Sequence, residues 1–153
     1  MGSGITKVLI AHDNWVYRHT ARAHRLAKQL DKDPKIEVLY DKKMWKEGEV
    51  TTHGENVRRE KEMVNRADLT IRLVHSPSKT GEPRHQGAIR ETLETMHQKK
   101  PVVQIFESGA RDSPKRTYLE RTYQHKLNKY LKPGESLPRT ALESITEVKR
   151  GFR

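Results

Sequence analysis

Apolar residues along this chain fall into four short runs, each followed by a segment with helical spacing. The runs are Lys7–Ala11, Ile36–Tyr40, Leu69–Val74 and Val102–Phe106. Short apolar runs bounded by polar loops are typical of buried strands, and the alternation in Ile36–Tyr40 favours a strand nearer the sheet edge. Helical periodicity and capping residues predict helices over Trp15–Leu30, Glu55–Arg66, Ala88–Lys99, Ser113–Tyr130 and Leu137–Arg150.

Strands that alternate with helices predict an α/β fold with right-handed crossovers. We expect a Rossmann-like, flavodoxin-like three-layer sandwich with a mainly parallel sheet of four to five strands. Residues 1–112 form the predicted catalytic-type core, and residues 113–153 a helical C-terminal extension of the same domain. A chain of 153 residues fits one hydrophobic core. Pro133-Gly134 ends the helix before the last one, and Gly151 stops the last helix.

The helix predicted over Ala88–Lys99 carries the candidate reactive group. Its apolar residues Ile89, Leu93 and Met96 share one face, whereas Glu91 projects from another. If Gly87 opens this helix, Glu91 lies in its first turn, where backbone N–H groups and the helix dipole favour an ionised carboxylate. Glu91 is therefore the candidate nucleophile. The alternative is a glutamate that only stabilises its own helix.

Candidate binding residues follow the predicted strands, because ligands of such folds bind beyond the carboxyl ends of the strands. We expect the segments 12–14, 75–87 and 107–112 to gather there. The basic loop 75–87 supplies cations, hydroxyls and backbone N–H groups for a phosphate beside the next helix, and its alternative role is that of a solvated loop. The candidate binding residues are His12, Asp13, Asn14, Ser76, Ser78, Lys79, Arg84, His85 and Gly87.

Composition narrows the partners. The net charge of +11, from 31 Lys and Arg against 20 Asp and Glu, predicts anionic partners such as nucleotides or nucleic acid.

The absence of cysteine excludes disulfides, Cys-ligated zinc and Cys nucleophiles, and it fits a reducing cytoplasm. No apolar run approaches the roughly 20 residues of a membrane helix, so we expect a soluble protein. His12, His75 and His85 lack a recognised metal signature, and no metal or cofactor is expected.

Several short motifs resemble the nucleoside 2-deoxyribosyltransferase superfamily, including its deoxynucleoside-monophosphate N-glycosidase branch. Ala67-Asp68 resembles the entry to that family's third strand, and Gly87-x-x-x-Glu91 resembles the glycine placed four residues before its nucleophilic glutamate. Lys100-Pro101-Val102 follows at the family's usual spacing. Glu60 lies where those enzymes carry an assisting aspartate. The resemblance covers roughly residues 7–106 and implies catalysis by Glu91 with Glu60 as helper.

The chain is also similar to Toll/interleukin-receptor-like domains, and this is the second interpretation. The segment KVLIAHD resembles that family's first box, and TIRLVHSP resembles the strand before its active loop, although the Trp-Cys signature is absent. Both resemblances imply cleavage or exchange of an N-glycosidic bond and a homodimer. The second would make the substrate NAD, or the role signalling. A third hypothesis, based on charge alone, is a non-catalytic nucleic-acid-binding protein.

Overall fold

The computed structural model describes residues 4–12, 17–39, 52–74, 86–108, 110 and 117–151. Strands and helices alternate throughout this part of the chain. In chain order the elements are β1 (Thr6–Ala11), α1 (Tyr17–Asp31), β2 (Ile36–Leu39), α2 (His53–Arg66), β3 (Leu69–Val74), α3 (Gln86–His97), β4 (Val102–Phe106), α4 (Tyr118–Thr122), β5 (Lys126–Tyr130) and α5 (Leu137–Lys149).

The sheet is parallel throughout its five described strands, in the order β2-β1-β3-β4-β5. This is the flavodoxin-like order, with helices on both faces, so the predicted fold class is confirmed. Strand β2 lies at an edge, as its alternating sequence predicted. Strand β2 lies on one side of β1 and β3 on the other, so the strand order reverses at β1. Folds of this order bind ligands in a crevice beyond the carboxyl ends of the strands at such a point.

The first face of the sheet packs against α1 and α5 and is apolar. Alternate strand residues, such as Val8, Ile10 and Ile71, interdigitate with Leu26 and Leu30 of α1. Burial of these aliphatic side chains accounts for most of the hydrophobic stabilisation that the structure offers. This face therefore holds the fold together.

The second face is covered by α2, α3 and α4, and its apolar packing is interrupted. One apolar group joins Leu9 and Leu39 to α2, and another forms around Phe106 at the end of β4. Polar strand residues are buried between these groups, among them Thr70, Arg72 and Gln104. A buried polar layer needs hydrogen bonds to offset its desolvation. Its position below the carboxyl ends of β1 and β3 makes it the candidate site.

The prediction of one helix over Ser113–Tyr130 is wrong for residues 117–130, the part of this range that the structure describes. Only Tyr118–Thr122 is helical, capped by Thr117 and Glu120, and Lys126–Tyr130 forms β5 beside β4. Leu119, Tyr123 and Leu127 have helical spacing, but pairing with the free edge of β4 overrides that local preference. The predicted start, Ser113-Pro114, lies outside the described residues.

The final helix docks on the sheet. Ser136 caps α5, and Gly151 ends it in a left-handed conformation, as predicted. Ala141 and Ile145 are buried in the core of the first face. The C-terminal segment is thus part of the sandwich. None of the described helices is long and apolar enough to cross a membrane.

Two substitutions in α5 test this docking. Ile145→Ala removes a buried side chain and should lower the free energy of unfolding by about 2–4 kcal/mol. Leu142→Ala, on the exposed side of the same helix, should cost less than about 1 kcal/mol. Urea denaturation of both variants measures the difference. Equal losses would contradict the docked helix.

Candidate active site

Helix α3 turns a polar face towards the sheet. Its described buried residues are Ala88, Glu91, Thr92, Thr95 and Met96. Of the predicted apolar face Ile89, Leu93 and Met96, only Met96 is buried, whereas Ile89 and Leu93 are half-buried. The helix covers the polar centre of the second sheet face, so the side chains that approach the sheet there are hydroxyls and a carboxylate. Apolar periodicity alone does not show that polar side chains share the buried side of α3.

Glu91 lies deeper in α3 than its sequence suggested. The helix begins at Gln86, which makes Glu91 its sixth residue, in the second turn rather than the first. Capping by the first N–H groups therefore does not explain its position. The residue is only 4% exposed, and its Oε2 atom is inaccessible to solvent. A surface glutamate that merely stabilises a helix end would not be buried against a sheet.

A pair of threonines fixes α3 on β3. The hydroxyls of Thr70 and Thr95 lie 2.7 Å apart, and the Thr95 hydroxyl donates to the Glu91 carbonyl oxygen. Because a hydroxyl has one proton, Thr70 must be the donor in the pair. Thr95 thus connects the strand to the backbone of Glu91. This contact fixes the register between helix and strand.

The register places Glu91 opposite the middle of β3. The crossover helix α3 runs antiparallel to the strands, so Glu91 is about 6 Å nearer the carboxyl edge than Thr95, at 1.5 Å per residue. Arg72 is about 6.6 Å nearer that edge than Thr70, at 3.3 Å per residue. The two charged residues therefore lie at the same level. Val74 ends β3 two residues further on, so Glu91 lies close below the carboxyl edge of the sheet.

Glu60 is bound to the residue next to Glu91. Arg90 donates to both Glu60 carboxylate oxygens, with Nε–Oε2 and Nη2–Oε1 distances of 2.8 and 2.9 Å. This bidentate pair joins α2 to α3. The hydrogen bonds that Arg90 donates to Glu60, together with the charges of Glu60 and Glu91, raise the pKa of Arg90 against the opposing effect of burial. Arg90 is thus a permanent cation between the two carboxylates.

A row of hydrogen bonds crosses the sheet at the level of Glu91. Arg72, Gln104 and Asn128 are directly adjacent on β3, β4 and β5. Arg72 Nη1 donates to Gln104 Oε1 at 2.6 Å, and Gln104 Nε2 donates to Asn128 Oδ1 at 3.0 Å. Arg72 and Gln104 are buried, whereas Asn128 is exposed. The row holds a guanidinium inside the second sheet face.

His12 follows β1 at the carboxyl edge and is buried. Its ring packs edge-on against His24 of α1, with the centroids 6.2 Å apart. Strand alternation also places it on the α1 side of the sheet, the side opposite Glu91. At the same edge Arg22 of α1 forms an ion pair with Glu107 after β4. The structure thus brings His12 and Glu107 to one edge of the sheet, and a binding role for His12 stays a prediction.

The remaining candidate residues are only partly described. Gly87 is the second residue of α3. The predicted phosphate loop and the residues after His12 lie outside the described residues; these are Asp13, Asn14, Ser76, Ser78, Lys79, Arg84 and His85. Within the described part of the chain, no three His, Asp or Glu side chains are grouped as metal ligands would be.

The other motifs behind the family resemblance have structural roles at the amino edge of the sheet. Ala67 ends α2, and the Asp68 carboxylate accepts the Lys7 backbone N–H at 2.8 Å. Lys100 Nζ donates to the carbonyls of Val64 and Asn65 at the end of α2. Burial lowers the pKa of this lysine, opposed by the charge of Asp68. These residues join β1, α2 and the start of β4, far from Glu91.

Sequence reasoning missed Arg72, Arg90 and Gln104. A signal was present for two of them, because Arg72 and Gln104 interrupt otherwise apolar buried strands. A charged or amide side chain inside such a strand requires a polar partner on the same face. Arg90 gave no signal, since its partner Glu60 is thirty residues away in the sequence.

Comparison with known proteins supports the fold. Neither a family model nor a curated protein matches this sequence. The Clostridium botulinum CMP N-glycosidase BcmB has a similar structure, with 14% identity and a TM-score of 0.57 over 93% of this chain and 99% of that chain. A conserved protein from Enterococcus faecalis V583 is also 14% identical, with a TM-score of 0.64 over 94% and 99% of the two chains. A prokaryotic SEFIR domain is 13% identical, with a TM-score of 0.55 over 94% and 97%.

The Glu60–Arg90 pair gives a testable stability difference. Glu60→Ala leaves a partly buried guanidinium without its bidentate acceptor and should lower the free energy of unfolding by about 1–2 kcal/mol. The matched control is Glu143→Ala, which removes an exposed pair with Arg139 and should cost less than about 0.5 kcal/mol. Urea denaturation at neutral pH compares the two. A Glu60 variant as stable as the control would mean that the pair contributes nothing to α2–α3 packing.

Proposed function

We propose that this protein cleaves or exchanges the N-glycosidic bond of a nucleoside or nucleoside monophosphate, with Glu91 as nucleophile. The observation that carries the proposal is the burial of Glu91 in a polar layer below the carboxyl ends of β1 and β3. Burial of a carboxylate costs free energy of folding, and ionisable groups buried in this way cluster at functional sites. The fold similarity to a CMP N-glycosidase supports the same reaction class.

In the proposed reaction a Glu91 carboxylate oxygen attacks C1′ of the sugar. The bond between C1′ and the base nitrogen breaks, and the base leaves with the electron pair and takes a proton from water. Water then displaces Glu91 from C1′ in hydrolysis, or a second base displaces it in transfer. Two displacements at C1′ retain the configuration of the sugar, as in retaining glycosidases.

The neighbouring charges suit this chemistry. Arg90 carries a positive charge close to Glu91 and favours the ionised form that can attack. In the proposal Glu60 helps through Arg90, because both of its oxygens accept hydrogen bonds from that guanidinium. Lys79 and Arg84 of the preceding loop are the proposed phosphate ligands, in keeping with the net charge of +11. The homodimer stays a prediction.

Toll/interleukin-receptor-like NAD cleavage is the second candidate function. The similarity to a prokaryotic SEFIR domain favours it over other reactions. The same carboxylate would then attack the ribose carbon that carries nicotinamide. The two functions differ in the leaving group, so one product assay separates them.

The decisive experiment is a base-release assay with nucleosides, nucleoside monophosphates and NAD, resolved by chromatography. We expect release of a nucleobase, and a loss of about a thousandfold or more in Glu91→Gln, because an amide cannot replace the nucleophile. Glu94→Gln is the matched control, since Glu94 is on the same helix but hydrogen-bonded to Gln98. It should keep its rate within about twofold.

Retained turnover in a folded Glu91→Gln variant would contradict the proposed nucleophile. Nicotinamide release without nucleobase release would favour the second candidate function. If no substrate is cleaved, but nucleic acid binds with steep salt dependence and equally well to wild type and Glu91→Gln, the charge-based binding hypothesis is correct instead.

A further inference from the structure

Arg72 is a charged residue in the middle of a buried strand. All six residues of β3 are buried, and Arg72 is 7% exposed. A guanidinium stays charged at every physiological pH, so its charge must be balanced where it lies. The groups around Arg72 on this face of the sheet therefore decide how its charge is balanced.

The hydrogen-bond row fixes how this guanidinium is held. Arginine can only donate, so Gln104 presents its oxygen to Arg72 and its NH2 group to Asn128. Each acceptor oxygen in the row thus receives a hydrogen bond from the side chain on the neighbouring strand, from β3 to β4 and from β4 to β5. The row anchors Arg72 to β4 and β5. Its amide side chains are neutral, so they do not balance the charge of Arg72.

Three described buried carboxylates lie on this side of the sheet, and their positions differ. Glu60 is bound by Arg90, and Glu120 belongs to the capping box of α4. Glu91 is at the level of Arg72, by the register that Thr70 and Thr95 fix. The buried anion that the geometry brings opposite Arg72 is therefore the proposed nucleophile.

Among the residues that the structure describes, the other charges facing α3 lie further from this level or are already compensated. Glu60 of α2 is paired with Arg90, and Glu120 of α4 belongs to a capping box with Thr117. Strand β1 contributes Leu9 and Ala11 on this face, and its Lys7 lies at the amino edge with Lys100. On α3 itself, Glu94 and His97 follow Glu91 towards the amino edge.

We propose that Arg72 is a positioning residue that keeps the Glu91 carboxylate ionised and directed towards the crevice. This inference rests on the proposed function for its catalytic meaning, but the electrostatic coupling can be measured without substrate. The sheet then supplies a positive charge in addition to that of Arg90 on α3, and both favour the ionised form of a nucleophilic glutamate. Gln104 and Asn128 act indirectly, by holding the guanidinium.

Titration of Glu91 tests the coupling. Side-chain carboxyl carbons labelled with ¹³C are followed by NMR against pH, and Glu91→Gln assigns the signal. Removing a nearby cation raises the pKa of a carboxyl group. The titration midpoint of Glu91 should therefore move to higher pH in Arg72→Gln and Arg72→Met, and much less in Arg72→Lys. Arg66→Gln, which removes an exposed arginine paired with Glu37, should leave the midpoint unchanged.

Base release gives the second measurement. Below the wild-type midpoint, kcat should fall by about tenfold or more in Arg72→Met with little change in KM, and the rate should recover at higher pH, where Glu91 is ionised in both proteins. A purely structural defect would lower the rate equally at every pH. Arg72→Met keeps an unbranched side chain and adds no polar group, at the cost of the donor to Gln104 Oε1, so it serves if Arg72→Gln does not fold.

The outcomes separate the two proposals. An unchanged Glu91 midpoint in a folded variant without the Arg72 charge overturns the inference, even if base release continues. A raised midpoint together with no base release from any substrate supports the coupling and contradicts only the proposed function.

Discussion

The position of α3 on the sheet depends on hydrogen bonds within the polar layer between this helix and the strands. Thr70 and Thr95 join hydroxyl to hydroxyl across that layer and fix the height of the helix. Arg72, Gln104 and Asn128 run across the strands at the next level. Buried polar groups cost free energy unless they are paired, so only one register of α3 on β3 satisfies these contacts. A single register is what a reactive carboxylate requires.

The two faces of the sheet divide stability from chemistry. The face towards α1 and α5 is a continuous aliphatic core, whereas the face towards α2 and α3 is apolar only in two separate groups. Replacing apolar contacts by charges and hydroxyls lowers the hydrophobic stabilisation of the second face. The first face is large enough to tolerate that loss. The proposed site thus lies where the fold depends least on apolar packing.

The two edges of the sheet also differ in role. At the amino edge, Asp68 and Lys100 hold strand and helix ends together through backbone hydrogen bonds. At the carboxyl edge lie the buried His12 and the Arg22–Glu107 ion pair. Motifs that suggested a family from the sequence alone therefore divide into a structural group and a group near the proposed chemistry. Glu91 belongs to the second group, and the resemblance by itself did not separate them.

The sequence by itself determined the first four strands and the α/β class, because buried parallel strands are continuous apolar runs that need no distant partner to be recognised. It also gave Glu91 as the candidate nucleophile, which stays a prediction. Only the tertiary structure decided that Lys126–Tyr130 is a strand, that the buried side of α3 is polar, and that Glu60 binds Arg90. Those features arise from contacts between segments far apart in the chain, and local periodicity carries no information about such contacts.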